Sequence, residues 1–294
     1  CSAAAPALRS GRYTGRMHLD PTRAIAFIGG GNMASALIGG LLKTGRHPAQ
    51  LWVVEPFAAQ RERLQADFGV RTLAAADATL ADAAAVVWAV KPQLFAEAAA
   101  PVAAHVTGAL HLSVMAGIRC EAIARAIDAD PAQARIVRTM PNTPALIGRG
   151  IAGLFPTPAV SADERAFVEQ VLAPTGQTLW VAREADLDAV TALSGSGPAY
   201  VFYFVEAMIA AAVEMGLSAE QGKRLALATF DGATALAAQS PEPPEVLRER
   251  VTSKGGTTYA ALQSLQACGV APALVQAVRA AQARARELGD EFGR

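Results

Sequence analysis

From residue 24 to about residue 181, short apolar runs alternate with longer amphipathic stretches. The apolar runs predict strands at residues 24–28, 51–54, 85–90, 110–114, 136–140, 151–155 and 178–181. The stretches between them predict helices such as 34–43, 58–68, 120–127 and 162–172. Strands alternating with helices build βαβ units, and a chain of such units builds a parallel sheet. Ala85-Val86-Val87-Trp88-Ala89-Val90 is apolar at every position, so this strand is expected to be covered on both faces.

After about Glu184 the strand signal disappears. Helices are predicted at residues 187–193, 199–215, 219–238, 245–251, 259–267 and 271–288. Ser218 is placed to cap the start of its helix, and Gly216 and Gly289 to end theirs. Pro241-Glu242-Pro243-Pro244 breaks the helical pattern. The 199–215 helix is apolar nearly all round, so neighbours must bury every face. It carries Glu206 and Glu214 and falls short of the ~20 apolar residues a bilayer needs, which predicts a buried helix and no membrane association. A helical region this small cannot surround that helix alone, so packing against a second copy, a homo-oligomer, is expected.

Composition narrows the partners. Of the 294 residues, 52% are hydrophobic and 18% charged, a globular balance with a large core. The 26 basic and 26 acidic residues cancel and form no like-charge run, which argues against nucleic acid and anionic membrane surfaces. Cys1, Cys120 and Cys268 are sparse and odd in number, and no Cys/His cluster has metal-ligand spacing. A reducing, cytoplasmic setting is expected. Residues 1–20 read as a non-native or disordered N-terminal extension, with Met17 as the native start, rather than as a targeting peptide.

The first strand runs into Gly29-Gly30-Gly31-Asn32-Met33-Ala34 and then a helix, which is G-x-G-x-x-A in the strand–turn–helix setting that dinucleotides require. Gly29 permits the tight turn, Gly31 lets a pyrophosphate approach the backbone, and Ala34 lets the helix lie close on its strand. The helix N-terminus supplies free N–H groups. Glu55 closes the second strand, 24 residues after Gly31. A carboxylate there accepts hydrogen bonds from ribose hydroxyls and repels a 2′-phosphate, which tilts the cofactor from NADPH towards NADH. Arg61 and Arg63 lie nearby and would act in the opposite sense. Three further segments end strands: Ala89-Val90-Lys91-Pro92, Met115-Ala116-Gly117 and Met140-Pro141-Asn142-Thr143-Pro144. Ligands of such sheets bind at the carboxyl ends of the strands, so these segments should ring one cleft.

Together with Leu193-Ser194-Gly195-Ser196-Gly197-Pro198-Ala199-Tyr200 and Val251-Thr252-Ser253-Lys254-Gly255-Gly256-Thr257-Thr258, these segments resemble the pyrroline-5-carboxylate reductase family, from Ala24 to about Leu288. The resemblance implies an α/β chain with an N-terminal Rossmann-type, mostly parallel sheet domain (residues 21–183). An all-helical dimerisation and substrate-binding domain follows (residues 184–294). It implies reduction of (S)-1-pyrroline-5-carboxylate to L-proline with NADPH or NADH, the last step of proline biosynthesis. It also implies a homodimer, and rings of dimers up to a decamer. On the matching motifs, Gly29, Gly31, Asn32, Met33 and Ala34 hold the pyrophosphate. Lys91, Pro92 and Ala116 line the nicotinamide half, and Ala89, Val90, Gly117 and Asn142 belong to the same edge. Ser253, Gly256, Thr257 and Thr258 form the substrate-carboxylate loop, Thr258 as donor to the imine nitrogen, and Glu184 matches an acidic position near the substrate. Two departures stand out: Lys254 replaces the family's usual proline, and Glu55 replaces the small residue that tolerates a 2′-phosphate.

The residues suit that chemistry. All four histidines, His18, His47, His105 and His111, precede the helical region, so it has no histidine acid. A cyclic imine needs none, because its nitrogen arrives protonated and the iminium is already electrophilic; positioning is what remains. Two rivals use the same fold. A β-hydroxyacid-dehydrogenase-like reductase would need a catalytic lysine, and neither Lys223 nor Lys254 lies in a fitting motif. A non-enzymatic dinucleotide sensor would have no use for the paired threonines.

Overall fold

The computed structural model describes residues 23–292; the expected N-terminal extension lies outside them. The first half is β1 (Ala24–Ile28), α1 (Asn32–Lys43), β2 (Leu51–Val54), α2 (Ala58–Phe68), β3 (Arg71–Leu73), β4 (Ala83–Trp88), α3 (Phe95–Ala103), β5 (Leu110–Ser113), α4 (Cys120–Ala126), β6 (Ile136–Met140), β7 (Gly150–Pro156), α5 (Ala162–Leu172) and β8 (Gly176–Trp180). The strands form one eight-stranded sheet in the order β3-β2-β1-β4-β5-β6-β7-β8. β1 is buried at all five positions and β4 at all six. Their side chains alternate between two apolar layers: Ile25 and Phe27 join Leu37, Ile38 and Val168 on one face, while Ala26 and Ile28 join Trp88, Val102 and Ile123 on the other.

The first half departs from the pattern reading at four elements. β7 runs antiparallel to β6, because only a short 3₁₀ turn (Thr143–Ile147) joins them and a parallel crossover needs a dozen or more residues. β3 escapes detection as a three-residue edge strand opening on an exposed arginine. α3 escapes because Pro101 sits inside it. Strand β4 stops at Trp88, so Ala89 and Val90 belong to the loop that follows.

The second half is helical: α6 (Asp186–Val190), a π turn (Thr191–Gly195), α7 (Gly197–Glu214), α8 (Ala219–Gln239), α9 (Pro244–Arg250), α10 (Thr257–Ala267) and α11 (Val270–Phe292). Ser218 caps α8 through a reciprocal capping box with Gln221. Gly216 ends α7 in the left-handed region, at φ +91°. The expected stop at Gly289 does not occur; α11 runs through it to Phe292. α7 packs on α8, where Gly222 lets the two backbones approach.

α7 is not buried within the chain, as expected of an apolar helix that its own small domain cannot surround. Only Val205 and Ala212 are covered, while Val201, Phe202, Tyr203, Met208 and Val213 are exposed. By length and composition alone, the continuous helix Asp186–Glu214 could cross a membrane. Burying a large apolar side chain is worth about 1.5–3 kcal/mol, so this face calls for a cover that a single chain does not supply.

Candidate active site

The strand order sets the site. β1, β4, β5 and β6 are consecutive parallel neighbours, so the loops at their carboxyl ends stand side by side. These carry Gly29–Ala34, Ala89–Pro92, Ala116–Gly117 and Asn142, and the order of strand addition reverses between β1 and β4, the place where such folds bind dinucleotides. The Gly29 N–H donates to the Val54 carbonyl (2.9 Å) and the Ala89 N–H to the Ile28 carbonyl (2.8 Å). Gly29 sits at φ +95°, and a Cβ there would lie 2.8 Å from the Ala89 carbonyl oxygen. No other residue type fits that turn.

At Gly31, which begins α1, an added Cβ would meet nothing within 4 Å. The space over the turn is open. α1 has neither a side-chain cap nor an acidic residue in its first turn. The N–H groups of exposed Asn32, half-buried Met33 and buried Ala34 therefore face that opening with uncompensated positive potential. These features fit a pyrophosphate.

Glu55 is nearly buried at the end of β2. Its Oε2 accepts the Gly30 N–H (2.9 Å) and its Oε1 the Phe57 N–H (3.0 Å), so the carboxylate braces the glycine turn. Each oxygen keeps a further lone pair for a ribose hydroxyl. Arg61 turns inward onto the Glu55 and Pro56 carbonyls (2.8 and 2.7 Å), and Arg63 pairs with Asp67. Lys91 is exposed at the head of a 3₁₀ turn that starts at Pro92, just after Ala89 and Val90, which lie against Gly29.

Asn142 and Glu184 have structural duties the sequence reading did not foresee. Asn142 Oδ1 accepts the Ile151 N–H (3.0 Å) and its Nδ2 donates to the Ser194 carbonyl (3.2 Å), which clasps the β6 loop to the π turn. Glu184 Oε1 accepts from Arg138 (3.1 Å) and from the Cys120 N–H (2.7 Å). Arg138 is only 5% exposed, so Glu184 neutralises a buried charge where the helical half meets the sheet. Burial, then the Glu184 carboxylate, push the Cys120 thiol above its ordinary range, so it is no nucleophile. Arg138 was absent from the expected site; its signal was a lone charge in the otherwise apolar strand Ile136-Val137-Arg138-Thr139-Met140.

The threonine loop lies elsewhere in the chain. Gly255 takes φ +75°, the Gly256 N–H closes a turn on the Ser253 carbonyl (3.0 Å), and a Cβ at Gly256 would lie 2.6 Å from Ser253 Oγ. α10 starts at Thr257 without a side-chain cap or an acidic first turn, and its packing within the chain is on α11. The Thr257 and Thr258 hydroxyls make no hydrogen bond among the described residues. Uncapped backbone N–H groups and two hydroxyls without a partner among the described residues thus lie together, an arrangement suited to a carboxylate.

A glycine turn at a sheet switch point, joined to a helical second half, defines an NAD(P)-dependent oxidoreductase of Rossmann type. Comparison with known proteins sharpens the class. Residues 24–117 match the family described as NADP oxidoreductase coenzyme F420-dependent, and residues 184–288 match the family described as pyrroline-5-carboxylate reductase dimerisation. A pyrroline-5-carboxylate reductase of Pseudomonas aeruginosa is 43% identical over 276 residues, covering 92% of this chain and 99% of that protein. The solved pyrroline-5-carboxylate reductase of Coxiella burnetii superposes with a TM-score of 0.85 at 33% identity, over 91% of this chain and 98% of that one. The Plasmodium falciparum pyrroline carboxylate reductase, solved with NADP bound, gives 0.80 at 27% identity, over the same shares. The chain belongs to the pyrroline-5-carboxylate reductase family.

Proposed function

We propose that the chain reduces 1-pyrroline-5-carboxylate to proline at a site completed by a second copy of itself. The observation that carries this reading is the split in its chemistry. Four strand-end loops stand together at one edge of the sheet, suited to a dinucleotide, while the Ser253-to-Thr258 loop starts an uncapped helix in a region with an uncovered apolar face. Dimerisation through α7 and α8 covers that face and accounts for its exposure better than a bilayer does, since the dimerisation family description spans it.

In this reading the N–H groups of Asn32, Met33 and Ala34 bind the pyrophosphate. Ala89, Val90, Lys91, Pro92, Ala116 and Gly117 line the nicotinamide side, with Asn142 holding the adjoining loop. Bound there, the reduced dinucleotide supplies a hydride. Ser253, Gly256 and Thr257 hold the substrate carboxylate at the α10 N-terminus. Thr258 donates a hydrogen bond at the ring nitrogen and orients the C=N carbon for attack, so binding geometry does most of the work. Glu184 serves this site from behind, through Arg138 and Cys120, rather than as a substrate ligand.

The test is oxidation of NADH and of NADPH, followed by nicotinamide absorbance, with pyrroline-5-carboxylate as acceptor. Consumption with at least one nucleotide is expected; none with either ends the proposal. Glu55 favours NADH by charge, and Glu55→Gln tests this while keeping an acceptor for the Gly30 N–H, which a serine could not reach. The NADPH-to-NADH ratio of kcat/KM is expected to rise about tenfold, roughly 1.4 kcal/mol. An unchanged ratio would remove Glu55 from nucleotide selection.

A further inference from the structure

The loop between β5 and α4, which carries Ala116 and Gly117, is gripped by the helical half of the same chain. At its far end, the Cys120 N–H is bound by Glu184. At its centre, Gly117 takes φ +78°, and a Cβ there would lie 3.0 Å from Phe292 Cδ2 and 3.5 Å from the Leu288 carbonyl oxygen. Between them, Arg119 lies over Gly289, where a Cβ would sit 3.3 Å from its guanidinium, and it pairs with Asp290. The Phe292 ring packs on the apolar layer that contains Met115, Ile118 and Cys120.

These contacts explain why α11 does not stop at Gly289. A glycine inside a helix costs about 1 kcal/mol relative to alanine, and helix ends ordinarily fray. The helix continues because its last turn is packed rather than solvated, and the glycine leaves room for Arg119. We propose that this last turn is a strut that sets the position of the nicotinamide-side loop, with Phe292 as its positioning residue. The proposal rests on the dinucleotide reading of the cleft. Phe292 touches neither nucleotide nor substrate; it acts through Gly117.

The strut predicts a loss confined to the nicotinamide end of the cofactor. Phe292→Ala and Phe292→Met, in the full chain, are compared with the parent in three measurements. These are turnover, affinity for the preferred reduced nucleotide, and affinity for the fragment lacking nicotinamide (ADP-ribose or its 2′-phosphate). Phe292→Ala is expected to lower turnover about tenfold and nucleotide affinity about threefold, with fragment affinity unchanged, the scale expected of a sub-ångström misplacement. Phe292→Met, which keeps much of the volume, is expected to show the same pattern at smaller size. If Phe292→Ala does not fold, Phe292→Met alone gives the reading. Equal losses for nucleotide and fragment, or no loss in any variant that folds, overturn the strut. The binding arms need no imine, so a parent chain inactive on pyrroline-5-carboxylate would end the proposed reaction and still leave the strut tested.

Discussion

Thr258→Ala is expected to lower turnover about a hundredfold while dinucleotide affinity stays at the parent value, because removing one well-placed hydrogen-bond donor from a transition state costs this much. The structure makes the separation of the two effects a strong test. Thr258 stands in the first turn of α10, outside the sheet-edge loops, and its hydroxyl is committed to no other group among the described residues. Its removal leaves no buried partner unsatisfied, so the fold should not change. Thr258→Ser keeps a hydroxyl and should recover most of the lost turnover. Steady-state kinetics with a parallel fluorescence titration of the reduced nucleotide would decide. Parent-like turnover in the alanine variant, or equal losses in turnover and nucleotide affinity, would take Thr258 out of the reaction.

A second large effect is expected in acid. His111 lies on β5, 2% exposed, and its Nδ1 accepts the indole N–H of Trp88 (3.1 Å), which leaves the ring proton on Nε2. Burial, the dominant cause, lowers its pKa from the ordinary 6.5 to about 4. The unfolded chain takes up a proton below pH 6.5, whereas the folded chain refuses it until about pH 4. The unfolded state therefore binds more protons across that window, and stability falls as pH drops through it. At 1.36 kcal/mol per unit, the loss amounts to about 3 kcal/mol. Above pH 6.5 the contribution is fully present. His111→Asn keeps an acceptor for Trp88 but cannot titrate. Denaturant unfolding at pH 7 and pH 4 should show the parent losing about 3 kcal/mol more than the variant over that interval. Matching losses would mean that His111 is protonated in the fold without penalty.

Much of the site was legible because it is built from backbone. A glycine at positive φ, a helix start without a cap and a loop at the end of a buried strand each leave a local signature. Gly29, Gly31, Lys91-Pro92 and Gly255-Gly256 could thus be picked out singly. Glu55 was legible as a carboxylate at the right spacing, but its second task, bracing Gly30, depends on how the glycine turn folds back over β2. The pairing of Arg138, the packing of Phe292 and the clasp from Asn142 to Ser194 were not legible, since each joins segments dozens of residues or more apart in the chain.

The sequence by itself determined the alternation of strand and helix, the dinucleotide turn, the change to an all-helical second half and the family. The first three follow from periodicity and steric rules that act within a few residues, and the family from the resemblance of its motifs. Only the tertiary structure decided that β7 runs against its neighbour, that α11 passes through Gly289 and that Glu184 pairs with Arg138. In each case the energy comes from surfaces brought together by the fold. A short β6–β7 connection closes only one way, packing on the β5–α4 loop carries α11 past its glycine, and a buried guanidinium draws the carboxylate within reach.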